Sequence, residues 1–177
     1  MISLLLARTE SHHFAFRSED VETVLLLPRL QRQPGDIAMI EGWFCLRGQS
    51  VPTISLAKVL GLGEEPPQLS DHLILSSRPP RVAWRVRRVS GLGEVGWESL
   101  RLLEHSAEPA PCYVASFEWE GQSTNLINVA GLLLAEELER VQQAEARKAA
   151  RLLELESEND ERTWGLKTVG EEVHGEL

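Results

Sequence analysis

Residues 41–56 read EGWFCLRGQSVPTISL, and this stretch decides the fold because it predicts a β-hairpin. The apolar run Trp43–Leu46 has the length of a strand and ends at Arg47-Gly48, where glycine can adopt the positive φ of a tight turn. The returning run, Val51–Leu56, contains Pro52, which has no backbone N–H and therefore favours an edge strand or the start of a strand. The stretch thus predicts two antiparallel strands joined by a short turn.

Short apolar runs broken by Gly, Pro and polar pairs continue on both sides of the hairpin, up to about Leu134. Besides the hairpin, the predicted strands are Ile2–Ala7, Val21–Leu27, His72–Leu75, Val82–Val89, Tyr113–Trp119 and Leu126–Val129. Many short strands with turn residues at fairly regular spacing are typical of an all-β barrel or sandwich. In this part of the chain, short helices are predicted only over Ala57–Leu60 and around Leu132–Leu134.

The character of the sequence changes at Ala135. The segment Ala135–Glu158 contains no Gly or Pro and is dominated by strong helix formers, so it predicts a long helix. The apolar residues near one face of this helix are Leu138, Val141, Leu152 and Leu155. Glu145 and Lys148 interrupt the stripe, which predicts a helix that is only loosely packed. Residues 159–177 are acidic and contain three Gly, which predicts fraying or disorder.

Composition narrows the class of protein. The chain has 177 residues and a net charge of -9, which argues against nucleic-acid binding because phosphate contacts need a basic surface. Cys45 and Cys112 form no CxxC motif and are expected to be free thiols in a reducing compartment. The first apolar run stops at Arg8, and no later run approaches the length of about 20 apolar residues that a spanning helix needs. We therefore expect a cytoplasmic protein without direct membrane insertion.

No motif predicts catalysis. Gly61-Leu62-Gly63 and Gly91-Leu92-Gly93 are fragments of a phosphate-binding loop that lack its third glycine and its strand–loop–helix context. His12 and His13 would point to opposite faces of a strand, and the other histidines are isolated, whereas a zinc site needs three or four converging ligands. The hydrolase signatures are absent from the sequence as well. The sequence therefore predicts no enzyme, no cofactor and no metal site.

Residues 81–88 form a local basic strip in this acidic chain. At the period of two of a strand, one face carries Val82, Trp84 and Val86. The other face carries Arg81, Ala83, Arg85 and Arg87. Two interpretations stay open: a solvated strand face, or a docking edge for an acidic surface of a partner or of the chain's own tail.

The hairpin resembles the hallmark of CheW-like domains, in which a glycine and a hydrophobic strand lead to Leu-Arg-Gly, Val-Pro, a second apolar strand and a short helix ending in Leu-Gly. The matching residues here are Gly42, Leu46-Arg47-Gly48, Val51-Pro52, Leu56 and Leu60-Gly61. The remaining strands follow the family order over residues 1–138, which leaves residues 139–177 as an acidic helical tail. The resemblance implies two intertwined five-stranded SH3-like barrels with a hydrophobic groove between them and a C-terminal α-helix.

The resemblance also implies a function. CheW-like adaptors couple methyl-accepting chemoreceptors to the histidine kinase CheA, with one surface on the receptor's cytoplasmic tip and another on the kinase's regulatory domain. We therefore expect a chemosensory adaptor that works by protein–protein contacts in the cytoplasm and is recruited to receptor arrays at the membrane. The alternative is a CheW-like regulator outside receptor arrays that acts through its C-terminal helix.

Six positions match partner-binding residues of the family, namely Val21, Thr23, Val24, Gly42, Arg47 and Val89. Val21 and Val24 are expected to present apolar surface to a partner. Arg47 is expected either to bind carbonyl or carboxylate groups of a partner or only to hold its turn. The chain departs from the usual family residues at Cys45, Ser55 and Arg87, where Asn, Asp and Asp are common, and this leaves open whether its partners have changed.

Overall fold

The computed structural model describes residues 1–103 and 112–168. Within these ranges the strands are β1 (Ile2–Arg8), β2 (His13–Arg17), β3 (Val21–Leu26), β4 (Ile40–Leu46), β5 (Gln49–Ser55), β6 (His72–Ser76), β7 (Ala83–Val86), β8 (Arg88–Val95), β9 (Arg101–Leu102), β10 (Tyr113–Trp119) and β11 (Gln122–Ile127). The helices are α1 (Leu56–Val59) and α2 (Ala135–Thr168), and a 3-10 turn at Val129–Gly131 replaces the helical turn expected around Leu132–Leu134. The predicted all-β body followed by one long helix is confirmed.

The strands form two sheets, each built from a different part of the chain. The terminal sheet has the order β8-β1-β2-β11-β10-β9 and so joins the first two strands to the last four. The central sheet has the order β3-β6-β7-β5-β4. The chain leaves the terminal sheet after β2 and returns to it at β8, which is the intertwined arrangement that the resemblance implies. Within the described residues the two edge strands of each sheet are not bonded to each other, so the sheets are open rather than closed barrels.

The β4–β5 hairpin confirms the prediction from residues 41–56. Leu46 pairs with Gln49, so the connecting loop has two residues. Arg47 has a φ of 51° and Gly48 a φ of 79°. Positive φ at both central positions is the pattern of a type I′ turn, whose twist matches that of the paired strands. Glycine adopts this conformation freely, whereas Arg47 adopts it against its own preference.

Alternating side chains bury both faces of the two sheets. In β1, Leu5 packs between the sheets in a cluster that we call the inter-sheet core, whereas Leu4 and Leu6 pack in a cluster of the terminal sheet alone. In β6, Ile74 packs in the inter-sheet core and Leu73 in a cluster of the central sheet. Each fully buried side chain of this size contributes on the order of 2 kcal/mol. Because side chains on both faces of these strands are buried, their sequences are continuous apolar runs without alternating polar residues.

The first half of α2 packs more closely on the body than the sequence indicates. Val141 is fully buried in the inter-sheet core, and Ala144 packs against that core. Lys148, which interrupts the apolar stripe, lies over the ring of Trp43 with its Nζ 4.7 Å from the ring centroid. The expectation of a loosely packed helix is therefore wrong for this half. The helix also continues past Glu158 to Thr168, while residues 169–177 lie outside the described residues.

Candidate protein-interaction surface

Three of the predicted partner-binding residues lie together on β3, an edge strand of the central sheet. Val21, Thr23 and Val24 are all half-buried, and the two valines pack against the inter-sheet core. The register with β6 shifts between Val21 and Thr23, so Glu22 forms a bulge. An edge strand with partly covered apolar side chains offers a surface to which a partner can add contacts.

Arg81 links β3 to the β4–β5 turn. Its guanidinium donates two hydrogen bonds to Glu22, from Nη2 to Oε1 at 2.6 Å and from Nε to Oε2 at 3.0 Å. It also donates to the side-chain carbonyl of Gln49, the residue after the turn. Hydrogen bonding by Arg81 lowers the pKa of Glu22, and the charge of Arg47 lowers it as well. Arg81 thus connects β3 to the residue that follows the Arg47-Gly48 turn, and we call Val21–Val24, Arg47, Gln49 and Arg81 the β3–turn surface.

A cavity of about 240 Å³ adjoins the start of β3. Asp20, which precedes Val21, and Ser76, which pairs with Val21, both line it. Its apolar lining includes Trp84 and Leu138. Small sites with a mostly apolar lining and a few polar groups suit a single inserted side chain. The cavity therefore adds a concave feature beside the β3–turn surface.

Gly42 and Val89 lie apart from this surface. Gly42 is buried on β4, the opposite edge strand of the central sheet. A Cβ atom there would lie 2.8 Å from the Cβ of Leu30, so glycine permits the close approach of the neighbouring segment. Val89 is half-buried on β8 of the terminal sheet and packs against the inter-sheet core. The structure thus groups four of the six predicted residues, and Gly42 has a packing role that the sequence did not indicate.

The basic strip is neither a solvated face nor a docking edge at Arg85, so both interpretations of the sequence are wrong there. Arg85 is only 1% exposed. It donates from Nη1 to Oδ2 of Asp71 at 2.7 Å, and from Nε and Nη2 to the carboxylate of Glu41 at 2.6 and 2.7 Å. Burial lowers the pKa of Arg85, but the hydrogen bonds and charges of Glu41 and Asp71 outweigh this effect, and the net direction is upward. The alternation of side chains along the strand correctly predicted that Arg85 and Trp84 lie on opposite faces. It did not predict that Glu41 and Asp71 bind Arg85.

Arg87 belongs to the same buried cluster. Its Nη1 donates to Oδ1 of Asp71 at 2.8 Å, and its Nη2 lies 2.7 Å from a carboxylate oxygen of Glu10 and 3.5 Å from one of Glu65. These acidic residues come from the β-sheet body and not from the tail. Arg87 stands where the family usually has Asp, and its positive charge is thus balanced by acidic residues of the same chain.

The two other positions that depart from the usual family residues, Ser55 and Cys45, take no part in this cluster. Ser55 is buried and accepts a hydrogen bond from the backbone N–H of Lys58 at 3.3 Å, so it caps α1. Ser and Asp are both favoured N-cap residues, and the replacement of the usual Asp keeps this contact possible. Cys45 is exposed on β4 and is a free thiol.

Within residues 1–103 and 112–168, no group of three or more His, Cys, Asp or Glu is arranged to hold a metal ion. Over the same ranges, no helix combines the length and apolar character needed to cross a bilayer.

Two sheets that exchange strands, together with a half-buried edge strand beside a polar turn, define an intertwined SH3-like binding domain. The family model of the CheW-like domain matches residues 3–137, and the chain belongs to this family. Membership supports a scaffold or adaptor role in chemotaxis rather than an enzymatic one.

Comparison with solved structures supports the fold. One of the fifteen chains that match is the crystal structure of scaffolding protein TtCheW from Thermoanaerobacter tengcongensis. It superimposes with a TM-score of 0.63 at 16% sequence identity, and the match covers 72% of this chain and 89% of that chain. The comparison with curated protein sequences gave no match.

Proposed function

We propose that this protein is a chemosensory adaptor that couples methyl-accepting chemoreceptors to a CheA-type histidine kinase by protein–protein contacts. The observation that carries the proposal is the family match over residues 3–137, which spans nearly all of both sheets. In this function the protein works by assembly: it holds the kinase where a change in receptor conformation alters kinase activity. It acts in the cytoplasm and is recruited to receptor arrays.

The β3–turn surface is the proposed site for the receptor's cytoplasmic tip. Val21 and Val24 supply apolar surface, and Arg47 and Arg81 supply hydrogen-bond donors beside it. An apolar centre with a polar rim is the usual anatomy of a protein interface. The kinase's regulatory domain then binds elsewhere on the body, since an adaptor must hold both partners at once.

The test is the affinity of the full-length chain for the regulatory domain of its cognate kinase and for a receptor-tip fragment, measured separately by titration calorimetry. Thr23→Lys places a charge at the centre of the β3–turn surface without touching the inter-sheet core. We expect it to weaken receptor binding tenfold or more, equivalent to about 1.4 kcal/mol, and to leave kinase binding unchanged. The matched control is Ser123→Lys, an exposed position on β11 of the other sheet.

A second function is favoured by one observation, namely that α2 runs to Thr168 although the family match ends at residue 137. In this function the chain is a CheW-like regulator outside receptor arrays, with α2 as its effector. It predicts that the wild-type chain binds neither the kinase domain nor the receptor fragment. That result would reject the adaptor proposal, whereas equal effects of Thr23→Lys and Ser123→Lys would reject only the assignment of the β3–turn surface.

A further inference from the structure

Helix α2 and the segment before β4 line a cavity of about 170 Å³. The segment contributes Gln33 and Asp36, and β4 contributes Trp43. The helix contributes three basic side chains, Arg147, Lys148 and Arg151. The family match ends at residue 137, so the helical wall of the cavity comes from a part of the chain that the match does not cover. The cavity is thus a feature of this chain that is separate from the proposed adaptor role.

The charge of this cavity is positive. Three basic side chains line it, and among the described residues around it Asp36 alone is acidic. Arg147 and Arg151 lie four positions apart and so share one face of the helix. Both oxygens of Asp36 have other partners, since Oδ1 accepts a hydrogen bond from Trp43 Nε1 at 3.0 Å and Oδ2 accepts one from the backbone N–H of Gln33 at 2.8 Å. In a chain of net charge -9, the cavity is therefore a local site of attraction for anions.

The ammonium group of Lys148 lacks an acceptor. Its Nζ lies 4.7 Å from the centroid of the Trp43 ring and is buried, and it has no hydrogen-bond partner among the described residues. Burial lowers the pKa of Lys148, and the charge of Asp36 offsets this effect only in part. A buried charged group without an acceptor is unfavourable. An anion in the cavity would supply both the missing acceptor and the missing negative charge.

We propose that this cavity binds a phosphate group, either as inorganic phosphate or as part of a small phosphate monoester. A phosphate monoester has three terminal oxygens, and the cavity offers three basic side chains. The guanidinium groups of Arg147 and Arg151 suit paired hydrogen bonds to phosphate oxygens, and Lys148 acts as a point charge. A carboxylate has only two oxygens for the three cations. Sites for drug-sized ligands begin at about 300 Å³, so this smaller cavity suits a small anion.

Titration calorimetry of the full-length chain in a phosphate-free buffer tests the proposal. Inorganic phosphate, glycerol 3-phosphate and acetate are used as separate probes. At least one of the two phosphate probes should bind at least tenfold more tightly than acetate. Tighter binding of inorganic phosphate assigns the site to the free ion, and equal or tighter binding of glycerol 3-phosphate assigns it to a monoester.

Substitutions around the cavity test the assignment of its residues. Arg147→Gln with Arg151→Gln removes two donors at exposed positions and should weaken phosphate binding at least tenfold. The matched control is Arg88→Gln with Arg140→Gln, which removes the same charge at exposed positions outside the cavity and should leave the affinity within about twofold. Asp36→Asn removes the negative charge beside the site and should tighten phosphate binding, a gain that a merely structural role of Asp36 would not produce. Circular dichroism confirms that each variant is folded.

Thermal unfolding provides a second readout. Phosphate bound between α2 and Trp43 stabilises only the folded state, so millimolar phosphate should raise the midpoint of thermal unfolding of the wild type. Lys148→Met keeps a flexible apolar side chain over the Trp43 ring but removes the ammonium group, and the rise should be smaller in this variant. Comparison of the two chains at the same phosphate concentration removes the general stabilising effect of phosphate as a salt.

Four results would overturn the proposal. The first is a wild-type chain that binds neither phosphate probe at millimolar concentrations. The second is binding of acetate as tight as that of phosphate, which would make the cavity a carboxylate site. The third is an equal loss of affinity in the Arg147, Arg151 variant and in its control, which would reduce the effect to the overall charge of the chain. The fourth is an equal rise in the unfolding midpoint of the wild type and of Lys148→Met.

Discussion

Arg85 and Asp71 form an ion pair from which solvent is excluded on both sides. The Nη1–Oδ2 distance is 2.7 Å, and the two side chains are 1% and 0% exposed. Glu41 and Arg87 complete the cluster, which ties β7 to β4 and to the segment before β6. Removal of one member of such a cluster lowers the free energy of unfolding by more than the intact ion pair contributes to it. The reason is that the remaining charge is then buried without a partner and without water.

The first prediction concerns this cluster. Arg85→Ala leaves Asp71 and Glu41 without their shared partner and should lower the free energy of unfolding by about 3 kcal/mol or more. Urea denaturation of the purified variant measures this loss. Arg81→Ala is the matched control, since Arg81 and its partner Glu22 are 27% and 30% exposed, and it should cost no more than about 1 kcal/mol. Equal losses in the two variants would contradict the special status of the buried cluster.

The second prediction concerns the docking of α2. Val141 is fully buried in the inter-sheet core, so Val141→Ala removes apolar contacts and leaves a cavity. The expected loss is about 2 kcal/mol in the free energy of unfolding, and it should be the same at low and high salt because no charge is involved. Gln142→Ala, at the exposed neighbouring position, should have almost no effect. Should Val141→Ala prove neutral, α2 would not be anchored where the structure places it.

The third prediction is a pH dependence at Glu145. Burial raises the pKa of this carboxyl in the folded protein, so the ionised form is less favourable there than in the unfolded chain. The resulting penalty is absent below the unfolded-state pKa and fully present above the folded-state pKa. Glu145→Gln should therefore raise the midpoint of thermal unfolding at pH 7, and the gain should disappear as the pH falls through the raised folded-state pKa towards the ordinary value of 4.5. Exposed Glu139→Gln is the control, and a gain that persisted in acid would contradict the burial of Glu145.

The fourth prediction separates the two roles considered for Arg47. Asparagine tolerates positive φ better than arginine does, so Arg47→Asn should keep or raise the free energy of unfolding, by up to about 1 kcal/mol. The same variant removes the guanidinium from the β3–turn surface and should weaken receptor binding. Glu120→Asn makes the equivalent backbone change in the β10–β11 turn, where φ is 49°, and should leave binding intact. Unchanged binding in both variants would assign Arg47 to the turn alone.

The sequence predicted the hairpin and most of the strands because both depend on near neighbours. It was wrong for Val82–Val89, which is divided between β7 and β8 of different sheets, and it placed the last strand at Leu126–Val129 instead of Gln122–Ile127. Alternation and a Leu-Arg-Gly turn are local signals, and they placed Trp84 on the strand face opposite the arginines and predicted positive φ at Gly48. The positive φ of Arg47 was not predicted. The acidic partners of the arginines lie far away along the chain: Glu22 is 59 residues from Arg81, and Glu41 is 44 residues from Arg85. Those pairs form only when β7 is inserted between β6 and β5.

One signal for the buried cluster was nevertheless present. Arg85 lies in a short strand between Trp84 and Val86, and both of these neighbours pack in the inter-sheet core. An arginine inside so apolar a strand is a candidate for burial with an acidic partner, because charged residues are almost never fully buried unless they are paired. The identity of the partner still required the sheet order. Val21 and Val24 of the β3–turn surface were identified from the family resemblance alone, because the sequence does not distinguish half-buried valines on an edge strand from other valines.

The exchange of strands between the two sheets also fixes an order of events during synthesis. All five strands of the central sheet lie between residues 21 and 86, so this sheet can assemble as soon as that segment has emerged from the ribosome. The β1–β2 hairpin is made earlier, yet its parallel neighbour β11 ends at Ile127. At a translation rate of about 5–20 residues per second, the hairpin waits on the order of ten seconds with apolar faces and one edge uncovered. The newly made chain is thus most prone to aggregate during translation, and its yield in cells should depend on chaperones that bind nascent chains.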